Sequence, residues 1–364
     1  MDPLAHTLVG ANIGATPLGR KTRLSAAAAV IGANAPDIDI FAYWFGSDFG
    51  TGFRRGWTHG VLALVVLPFV VTAVLVAFDT IRLRLLSQEQ DLPAIEPRGL
   101  LVVSAISILT HPTLDWLNNY GMRWLMPFDG TWFYGDSVFI VDPWLWAILG
   151  SAWLAGKKRS IAIFATWLLF STAAALVVSN RSTSYVPVVV AVGALSLVAL
   201  LWEPHSESTR SRLPIFGLGM AAVLIGGMLT LHALSVSRVR TLLESDGFSH
   251  VDRLMVGPAP LNPLRWEIVA QLPGEYRWGA FDWRDNTLTL NPKSLPVPSA
   301  GPEWDRVSHH PLIVGYMSWV RFPWYEIERT PEGIRVHVMD ARYTRRRTDG
   351  FGGTSVLIEN EPTP

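Results

Sequence analysis

Cysteine is absent from this chain of 364 residues, and charged residues make up only 16% of it. The first absence excludes disulfide bonds, thiolate metal ligands and a cysteine nucleophile. The charges that are present balance, with 30 basic and 30 acidic residues, and they form no basic stripe or nucleic-acid-binding motif. Nucleic acid is therefore not an expected partner.

Common catalytic and targeting signatures are also missing. The chain has no Gly-x-Ser-x-Gly elbow, Walker loop or dinucleotide-binding fingerprint. Asp2 is acidic and the first basic cluster follows the first apolar run, which is not the pattern of a secretory signal peptide. None of these catalytic motifs therefore competes with a metal site.

Apolar segments of membrane-spanning length are the first positive feature. The mean hydropathy of +0.27 and the hydrophobic content of 49% are too apolar for an ordinary soluble protein. A helix needs about 20 apolar residues to cross a bilayer. Four segments of this kind are Val61–Phe78, Ser160–Ser179, Ser182–Trp202 and Leu213–Ser237. We therefore expect a multi-pass protein whose main partner is the lipid bilayer.

The chain after residue 237 is polar, rich in tryptophan and mostly strand-like. Turn formers such as Pro273-Gly274 separate segments in which β-branched and aromatic residues mix with polar ones. The predicted strands are Leu264–Ala270, Glu275–Phe281, Ile313–Arg321, Trp324–Glu328 and Ile334–Met339. The sequence thus predicts a helical metal-binding domain over residues 1–156, three further transmembrane helices over 157–237 and a small mainly-β domain over 238–364.

Basic residues indicate how the helices cross the membrane, because they mark cytoplasmic helix ends. One face of the predicted topology carries Arg20, Lys21, Arg23, Arg82, Arg84, Arg98, Lys157, Lys158, Arg159, Arg210 and Arg212. The other face carries only Arg54, Arg55, Arg123 and Arg181. We expect the richer face to be cytoplasmic in a bacterial inner membrane, and the β domain to be extracytoplasmic.

Residues of the types that bind metal ions recur at the ends of the apolar segments. They are His6, Asp37, Asp39, His59, His111 and Asp115. The predicted topology places every one of them on the face opposite the basic clusters. Charged and imidazole side chains are costly near hydrocarbon, so this agreement predicts one shared extracytoplasmic site.

Most of these residues also have a plainer interpretation when taken alone. A lone histidine such as His6, in an apolar stretch, is usually a hydrogen-bonded core residue. Asp37 and Asp39 could end a helix through Asx hydrogen bonds. His59 could cap a membrane helix near Trp57, at an aromatic-belt position.

His111 and Asp115 form the most regular pair. They are four residues apart, and on a helix this spacing places two Cβ atoms about 5–6 Å apart on one face. That separation suits chelation of one ion, although such pairs also occur as surface ion pairs or caps. Pro112, between them, allows a helix break near Thr110.

The donor types indicate which metal and which chemistry to expect. Imidazoles and carboxylates without sulfur suit Zn²⁺, and also Mn²⁺ or Fe²⁺. One or two such ions would activate water for attack on a phosphoester. In this hypothesis His59, His111 and Asp115 bind the first ion together with Asp37 or Asp39. The carboxylate that does not bind this ion orients water, and Asp39 is the candidate for that role. Arg55 neutralises a phosphate.

With these residues identified, the sequence resembles the YdjM-type family of membrane-bound, metal-dependent hydrolases. The resemblance is carried by His6, Pro36-Asp37-Ile38-Asp39, Arg55-Gly56-Trp57-Thr58-His59, His111-Pro112-Thr113-Leu114-Asp115, Tyr120-Gly121, Pro127-Phe128, Asp142-Pro143 and Asn262-Pro263-Leu264-Arg265-Trp266. It implies a distant similarity to zinc-dependent phospholipase C and related nucleases, and hence a phospholipase C-like helical metal site at helix ends.

Departures from the family pattern limit what the resemblance implies. Arg54 stands where the family usually has a histidine, and Gly60 stands where it usually has a serine. The second His-x-x-x-Asp of the phospholipases and nucleases has no counterpart, so one or two ions are expected rather than three. In those relatives the terminal amino group also binds metal, which makes Met1 a further candidate ligand.

The sequence thus favours a metal-dependent hydrolase acting on a lipid or cell-envelope phosphoester. Two alternatives stay open. A transporter would use its buried carboxylates to relay ions or protons, and would place polar groups near the bilayer midplane. A non-catalytic envelope scaffold would use a closed metal shell to hold helices together, with the β domain binding a protein partner of unknown kind.

Overall fold

The computed structural model describes residues 1–85, 95–156, 206–299, 301–348 and 351–359, together with positions 165, 172, 193 and 194. Apart from those four positions, the predicted membrane segments Ser160–Ser179 and Ser182–Trp202 lie outside the described residues. The chain divides into two compact units. The first comprises Met1–Ile38, Arg55–Leu231 and Ala259–Pro263, and the second comprises Asp39–Arg54, His232–Pro258 and Leu264–Pro364.

One short early segment, Asp39–Arg54, belongs to the second unit, together with most of the β-strands. In the division predicted from the sequence, it falls within the helical domain over residues 1–156. The three-part division into 1–156, 157–237 and 238–364 stays a prediction.

The first unit is helical. Its helices are α1 (Pro3–Ala15), α2 (Ser25–Asn34), α4 (Val61–Leu85), α5 (Pro97–Trp116), α6 (Pro143–Ala155) and the first part of α7 (Glu207–Ser245). Helix α3 (Ser47–Phe53) lies in the second unit. Two 3₁₀ helices cover Pro17–Arg20 and Ala35–Phe45.

Small residues hold the first helices close together. Helix α1 packs against α2 and α6, while α5 packs against α2 and α4. A Cβ atom at Gly10 would lie 2.6 Å from the Ala29 carbonyl oxygen, and one at Gly32 would lie 3.2 Å from the Ser107 Cβ atom. Close backbone approach through small residues is the usual way apolar helices pack in membranes. This packing sets α2 beside the part of α5 that carries His111.

Among the described residues, three helices are long and apolar enough to cross a membrane by length and composition: Val61–Leu85, Pro97–Trp116 and Ser208–Ser245. The first continues past the predicted end at Phe78, because Asp79 is buried and paired with Arg23. The last likewise extends beyond the predicted Leu213–Ser237 at both ends.

Helix α5 runs through Pro112 without the break that the proline allows near Thr110. The hydroxyl groups of Thr110 and Thr113 donate to the carbonyl oxygens of Ser107 and Leu109, at 2.7 and 2.8 Å. A proline inside a membrane helix need not break it. His111 and Asp115 therefore share one continuous helix.

The second unit is mainly antiparallel β. One sheet has the strand order β1-β2-β3-β4, with β5 pairing with β3. Its strands are β1 (Arg253–Ala259), β2 (Asn262–Leu272), β3 (Glu275–Asp282), β4 (Thr287–Leu290) and β5 (Leu295–Pro296). The other has the order β6-β7-β8, with β6 (Pro323–Thr330), β7 (Gly333–Asp340) and β8 (Gly353–Glu359).

The core between these strands is made of buried apolar side chains that include Val269, Tyr276, Phe322, Trp324 and Met339. The mainly-β prediction for the C-terminal part is confirmed. Four of the five predicted strands lie in β2, β3, β6 and β7.

The fifth predicted strand, Ile313–Arg321, is wrong. The structure has α8 (Pro302–Ser308) before it and a short helix, α9 (Val314–Trp319), within it. Tyr316 and Trp319 are buried at helical spacing, and the Asp48 carboxylate accepts hydrogen bonds from the backbone N–H groups of Gly315 and Tyr316. A short apolar run is compatible with either a strand or a helix. Here the Asp48 carboxylate, which is distant in sequence, favours the helix.

Candidate metal centre

Four predicted ligands come together in the first unit. Asp37 lies in the 3₁₀ helix Ala35–Phe45, His59 lies in the turn before α4, and His111 and Asp115 lie in the last part of α5. One ligand atom from each residue lies within 4.8 Å of the others. His59, His111 and Asp115 are fully buried, whereas the Asp37 side chain is 22% exposed. This cluster could bind a metal ion.

The nearest ligand atoms face one another across short distances. His59 Nε2 lies 3.1 Å from His111 Nε2 and 3.2 Å from Asp115 Oδ2. His111 Nε2 lies 3.6 Å from Asp115 Oδ2 and 3.8 Å from Asp37 Oδ1. Two imidazole nitrogens and two carboxylate oxygens therefore converge on one position.

A neighbouring group orients each imidazole ring through the nitrogen that faces away from the cluster. His111 Nδ1 donates to the Ala33 carbonyl oxygen at 2.7 Å, which leaves its Nε2 lone pair directed at the cluster. His59 Nδ1 lies 2.9 Å from the Thr58 hydroxyl. Metal-binding histidines usually have such a partner, because it fixes the ring orientation and the tautomer.

His6 lies beside this cluster, in contact with two of its members. Its ring stacks on His111, with centroids 3.7 Å apart and planes inclined by 15°. Its Nε2 atom lies 3.3 Å from Asp115 Oδ1. His6 therefore contacts one ligand oxygen, but it is not one of the four residues whose ligand atoms converge.

The amino group of Met1 also reaches Asp115. It is buried and donates to Asp115 Oδ1. Burial lowers the pKa of this amino group to about 6, although the Asp115 carboxylate opposes the change. The Asp2 carboxylate caps α1 by accepting from the N–H groups of Leu4 and Ala5, which holds the start of the chain in place.

Arg55 is the direct partner of Asp115. Its Nη2 atom donates to Asp115 Oδ1 at 3.0 Å, and its Nε atom lies 3.0 Å from Asp115 Oδ2. Nη1 donates to Asn118 Oδ1 at 3.0 Å and to the Gly121 carbonyl oxygen at 3.2 Å. The guanidinium group also lies over the Tyr120 ring, 4.4 Å from its centroid. Arg55 thus orients a candidate ligand in addition to supplying positive charge.

The packing around Gly56 explains why the Arg-Gly-Trp-Thr-His segment has glycine at its second position. A Cβ atom there would lie 2.5 Å from the Arg123 guanidinium group. The backbone N–H of Arg123 donates to the Arg55 carbonyl oxygen at 2.9 Å, and Arg55 itself has a positive φ of 51°. The turn that presents Arg55 therefore depends on close approach of the Arg123 segment.

Asp39 is placed differently from Asp37. It belongs to the second unit, its carboxylate is buried, and Arg54 Nε lies 3.4 Å from its Oδ1 atom. The segment is a 3₁₀ helix, in which residues two apart point in directions about 120° apart around the axis. The structure therefore groups Asp37, and not Asp39, with the converging ligand atoms.

Asn118 was missed by the sequence analysis. Its Oδ1 atom accepts from Arg55 and from the Tyr120 N–H at 2.9 Å, and two donors on one oxygen fix which way the amide points. Asn118 Nδ2 and His6 Nδ1 are buried without a hydrogen-bond partner among the described residues. Such atoms are uncommon in folded interiors and cost about 1–3 kcal/mol each. The only sequence signal for Asn118 is its position three residues after Asp115.

Taken together, the first unit defines a class: an apolar helical membrane protein with a buried cluster of His and Asp residues. A family model described as YdjM inner membrane protein matches residues 1–185, and the chain belongs to this family. All of the converging ligands lie inside the matched part. No curated protein and no solved structure matches the chain. The family and the three apolar helices support a location in the inner membrane.

Proposed function

We propose that this protein is a metal-dependent hydrolase acting on a phosphoester of a lipid or cell-envelope molecule. The observation that carries the proposal is the convergence of ligand atoms from Asp37, His59, His111 and Asp115 within 4.8 Å. The set contains two imidazoles, two carboxylates and no sulfur, which fits Zn²⁺, Mn²⁺ or Fe²⁺. The resemblance to zinc-dependent phospholipase C supports the reaction class.

The four converging residues would hold the ion. A divalent cation would supply Lewis-acid polarisation of a phosphoryl oxygen and would lower the pKa of water. The protein supplies the orientation of the ligands: Ala33 holds His111, and Arg55 holds Asp115. These contacts correspond to the outer-shell partners on which metal sites depend.

Two charged residues have proposed roles beyond ligation. Arg55 places a fixed positive charge beside the cluster, where it would stabilise negative charge on a phosphoryl group. Asp37 is the only member of the converging set with appreciable exposure, so its carboxylate is the one best able to orient a water molecule. The sequence assigned that role to Asp39, which stays a prediction.

A scaffold with a structural metal is the second candidate. The observation that favours it is the complete burial of His59, His111 and Asp115, since a closed coordination shell is typical of structural sites. This candidate predicts metal-dependent stability without metal-dependent hydrolysis. The proposed enzyme predicts both.

Elemental analysis of detergent-purified protein tests the site. We expect His59→Gln and His111→Gln to remove most bound metal, whereas His250→Gln should retain it, because His250 is an exposed histidine of the second unit. Asp115→Ala is a poorer test, because it leaves Arg55 buried without its carboxylate, at a cost of about 3–5 kcal/mol. Unchanged metal content in both cluster variants would show that the site is wrongly assigned.

Hydrolysis is tested separately with bis(p-nitrophenyl) phosphate and with phospholipid vesicles. We expect turnover that a chelator abolishes and added Zn²⁺ or Mn²⁺ restores, and that is lost in His59→Gln. Bound metal without any turnover, combined with metal-dependent thermal stability, would favour the scaffold.

A further inference from the structure

A surface of large apolar side chains is exposed on the second unit. It consists of Phe41, Trp44, Phe45, Phe49, Leu312 and Val314, and we call it the aromatic surface. Trp44 is 79% exposed, Phe45 is 78% exposed and Leu312 is 68% exposed. Single exposed apolar residues are ordinary, but a contiguous group of this kind marks an interaction site.

The segment that carries the aromatic residues is held in place by glycines. Gly46, with a φ of 118°, makes the turn between the 3₁₀ helix Ala35–Phe45 and α3. A Cβ atom at Gly50 would lie 2.4 Å from the Tyr43 ring, so the glycine makes room for that ring. A Cβ atom at Gly52 would lie 2.7 Å from the Cα atom of Gly315. This close approach fixes α3 against α9.

The exposed rings also contact one another. Phe41 and Trp44 have centroids 4.7 Å apart, and Phe45 and Phe49 have centroids 5.9 Å apart. Helix α3 packs against α9, and the exposed side chains of Leu312 and Val314 lie just before and at the start of α9. The surface is therefore formed by two segments that the fold holds in place, and it is not a frayed loop.

Charge is excluded from the aromatic segment. No charged residue occurs between Asp39 and Asp48. Asp39 is buried beside Arg54, and the Asp48 carboxylate accepts from the N–H groups of Gly315 and Tyr316. The two acidic residues that flank the rings are thus engaged inside the protein.

The same segment leads directly into a candidate membrane span. Helix α4 begins at Val61, eight residues after Phe53, the end of α3. An extended chain of that length reaches at most about 28 Å. Trp57, which is 49% exposed, lies within the connection. The aromatic segment is therefore joined to a candidate membrane span by a short stretch of chain.

We propose that the aromatic surface inserts into the headgroup region of the lipid bilayer. Tryptophan occupies this region because its ring combines an apolar body with a polar N–H group, and phenylalanine and leucine form the apolar face that interfacial segments bury there. A surface rich in these residues, whose aromatic segment has no charge between Asp39 and Asp48, fits an interface better than it fits water. The bilayer is thus a second point of attachment for this unit, in addition to the membrane-spanning helices.

Site-directed spin labelling can test this proposal without background labelling, because the chain has no cysteine. Phe45→Cys and Leu312→Cys place a nitroxide on the surface from its two segments. Val223→Cys, 67% exposed in the candidate span Ser208–Ser245, serves as the lipid reference. Lys293→Cys, at an exposed residue of the second unit, serves as the aqueous reference. Full-length labelled protein is reconstituted into phosphatidylethanolamine and phosphatidylglycerol vesicles.

Power saturation then measures collision of each label with oxygen, which partitions into lipid, and with a water-soluble nickel chelate. We expect the labels at positions 45 and 312 to collide severalfold less often with the nickel chelate than the label at 293 does. They should collide with oxygen at least as often as the label at 293 does. Nickel access equal to that at 293 would show that the surface faces water. Low access to both reagents would show that protein covers it, either a second copy or another segment. Either result overturns the proposal, and two labelled positions keep the test decisive if one variant fails to fold.

Discussion

At the residue scale, Asp115 is the centre of the candidate site. Its carboxylate contacts the Met1 amino group, His6, Arg55 and His59, and every one of these side chains or groups is buried. A buried carboxylate needs compensating partners, and here they come from two separate segments of the chain, residues 1–6 and residues 55–59. The His-x-x-x-Asp spacing predicts that Asp115 and His111 share a helix face, but it carries no information about the other partners.

The Met1 contact leads to a prediction about the start of the chain. Extra residues placed before Met1 would convert its amine to an amide and displace it from Asp115. Loss of an outer-shell partner typically weakens metal binding about 10–100-fold. We expect a chain extended at its N-terminus to retain less metal during dialysis against a weak chelator than a chain tagged at its C-terminus. Equal retention in the two proteins would count against a role for the amino group.

At the element scale, α5 serves two purposes. Its buried positions include Ser104, Ser107, His111 and Asp115, while Val102, Ile106 and Leu109 are exposed on the rest of its surface. The buried face packs against α2 near Gly32 and then supplies two ligands close to its end. Helical periodicity predicts which side chains share this face, because that pattern is local in sequence.

The cap of α6 gives a prediction about pH. Asp142 accepts from the N–H groups of Trp144 and Leu145, and burial raises the pKa of its carboxyl group from 3.8 to about 6. An acid with a raised pKa contributes stability at low pH and loses it as the pH rises through about 4 to 6. We expect Asp142→Asn, which retains the cap, to unfold at a higher temperature than the wild type at pH 7.5, and at a temperature closer to that of the wild type at pH 4.5.

The size of that effect can be bounded. A shift of about two pKa units corresponds to roughly 3 kcal/mol at most. Asp129→Asn is a suitable control, because Asp129 is exposed and hydrogen bonds from Thr131 lower its pKa. Thermal unfolding in detergent at both pH values provides the measurement. A lower unfolding temperature for Asp142→Asn at pH 7.5 would contradict the buried-charge explanation.

At the scale of the whole molecule, orientation in the membrane is the main untested prediction. The unequal distribution of basic residues predicts that the metal-ligand residues and the β strands lie outside the cytoplasm. We expect a C-terminal fusion to alkaline phosphatase to be active and a C-terminal fusion to a cytoplasmic fluorescent protein to be dark. A fusion placed after Leu85, on the predicted cytoplasmic face, should show the reverse pattern. The same result at both positions would reject the predicted topology.

The sequence by itself determined the two predicted apolar helices that lie within the described residues, most of the strands and the residue types of the site. Membrane spans depend on local hydropathy, strands depend on local alternation and turn formers, and ligand chemistry depends on residue type. Each of these properties depends on residues that are neighbours in the sequence. That is why Val61–Phe78 lies within α4 and why Trp324–Glu328 lies within β6.

Only the tertiary structure decided which of these residues meet. Asp37, in the 3₁₀ helix Ala35–Phe45, joins the cluster, whereas Asp39 is not one of its four members. Asp48 stabilises a helix where the local pattern predicts a strand, and Met1 approaches Asp115 across more than a hundred residues of chain. These outcomes depend on contacts between distant segments. Such contacts follow from packing and from the need to satisfy buried polar groups, not from any local pattern.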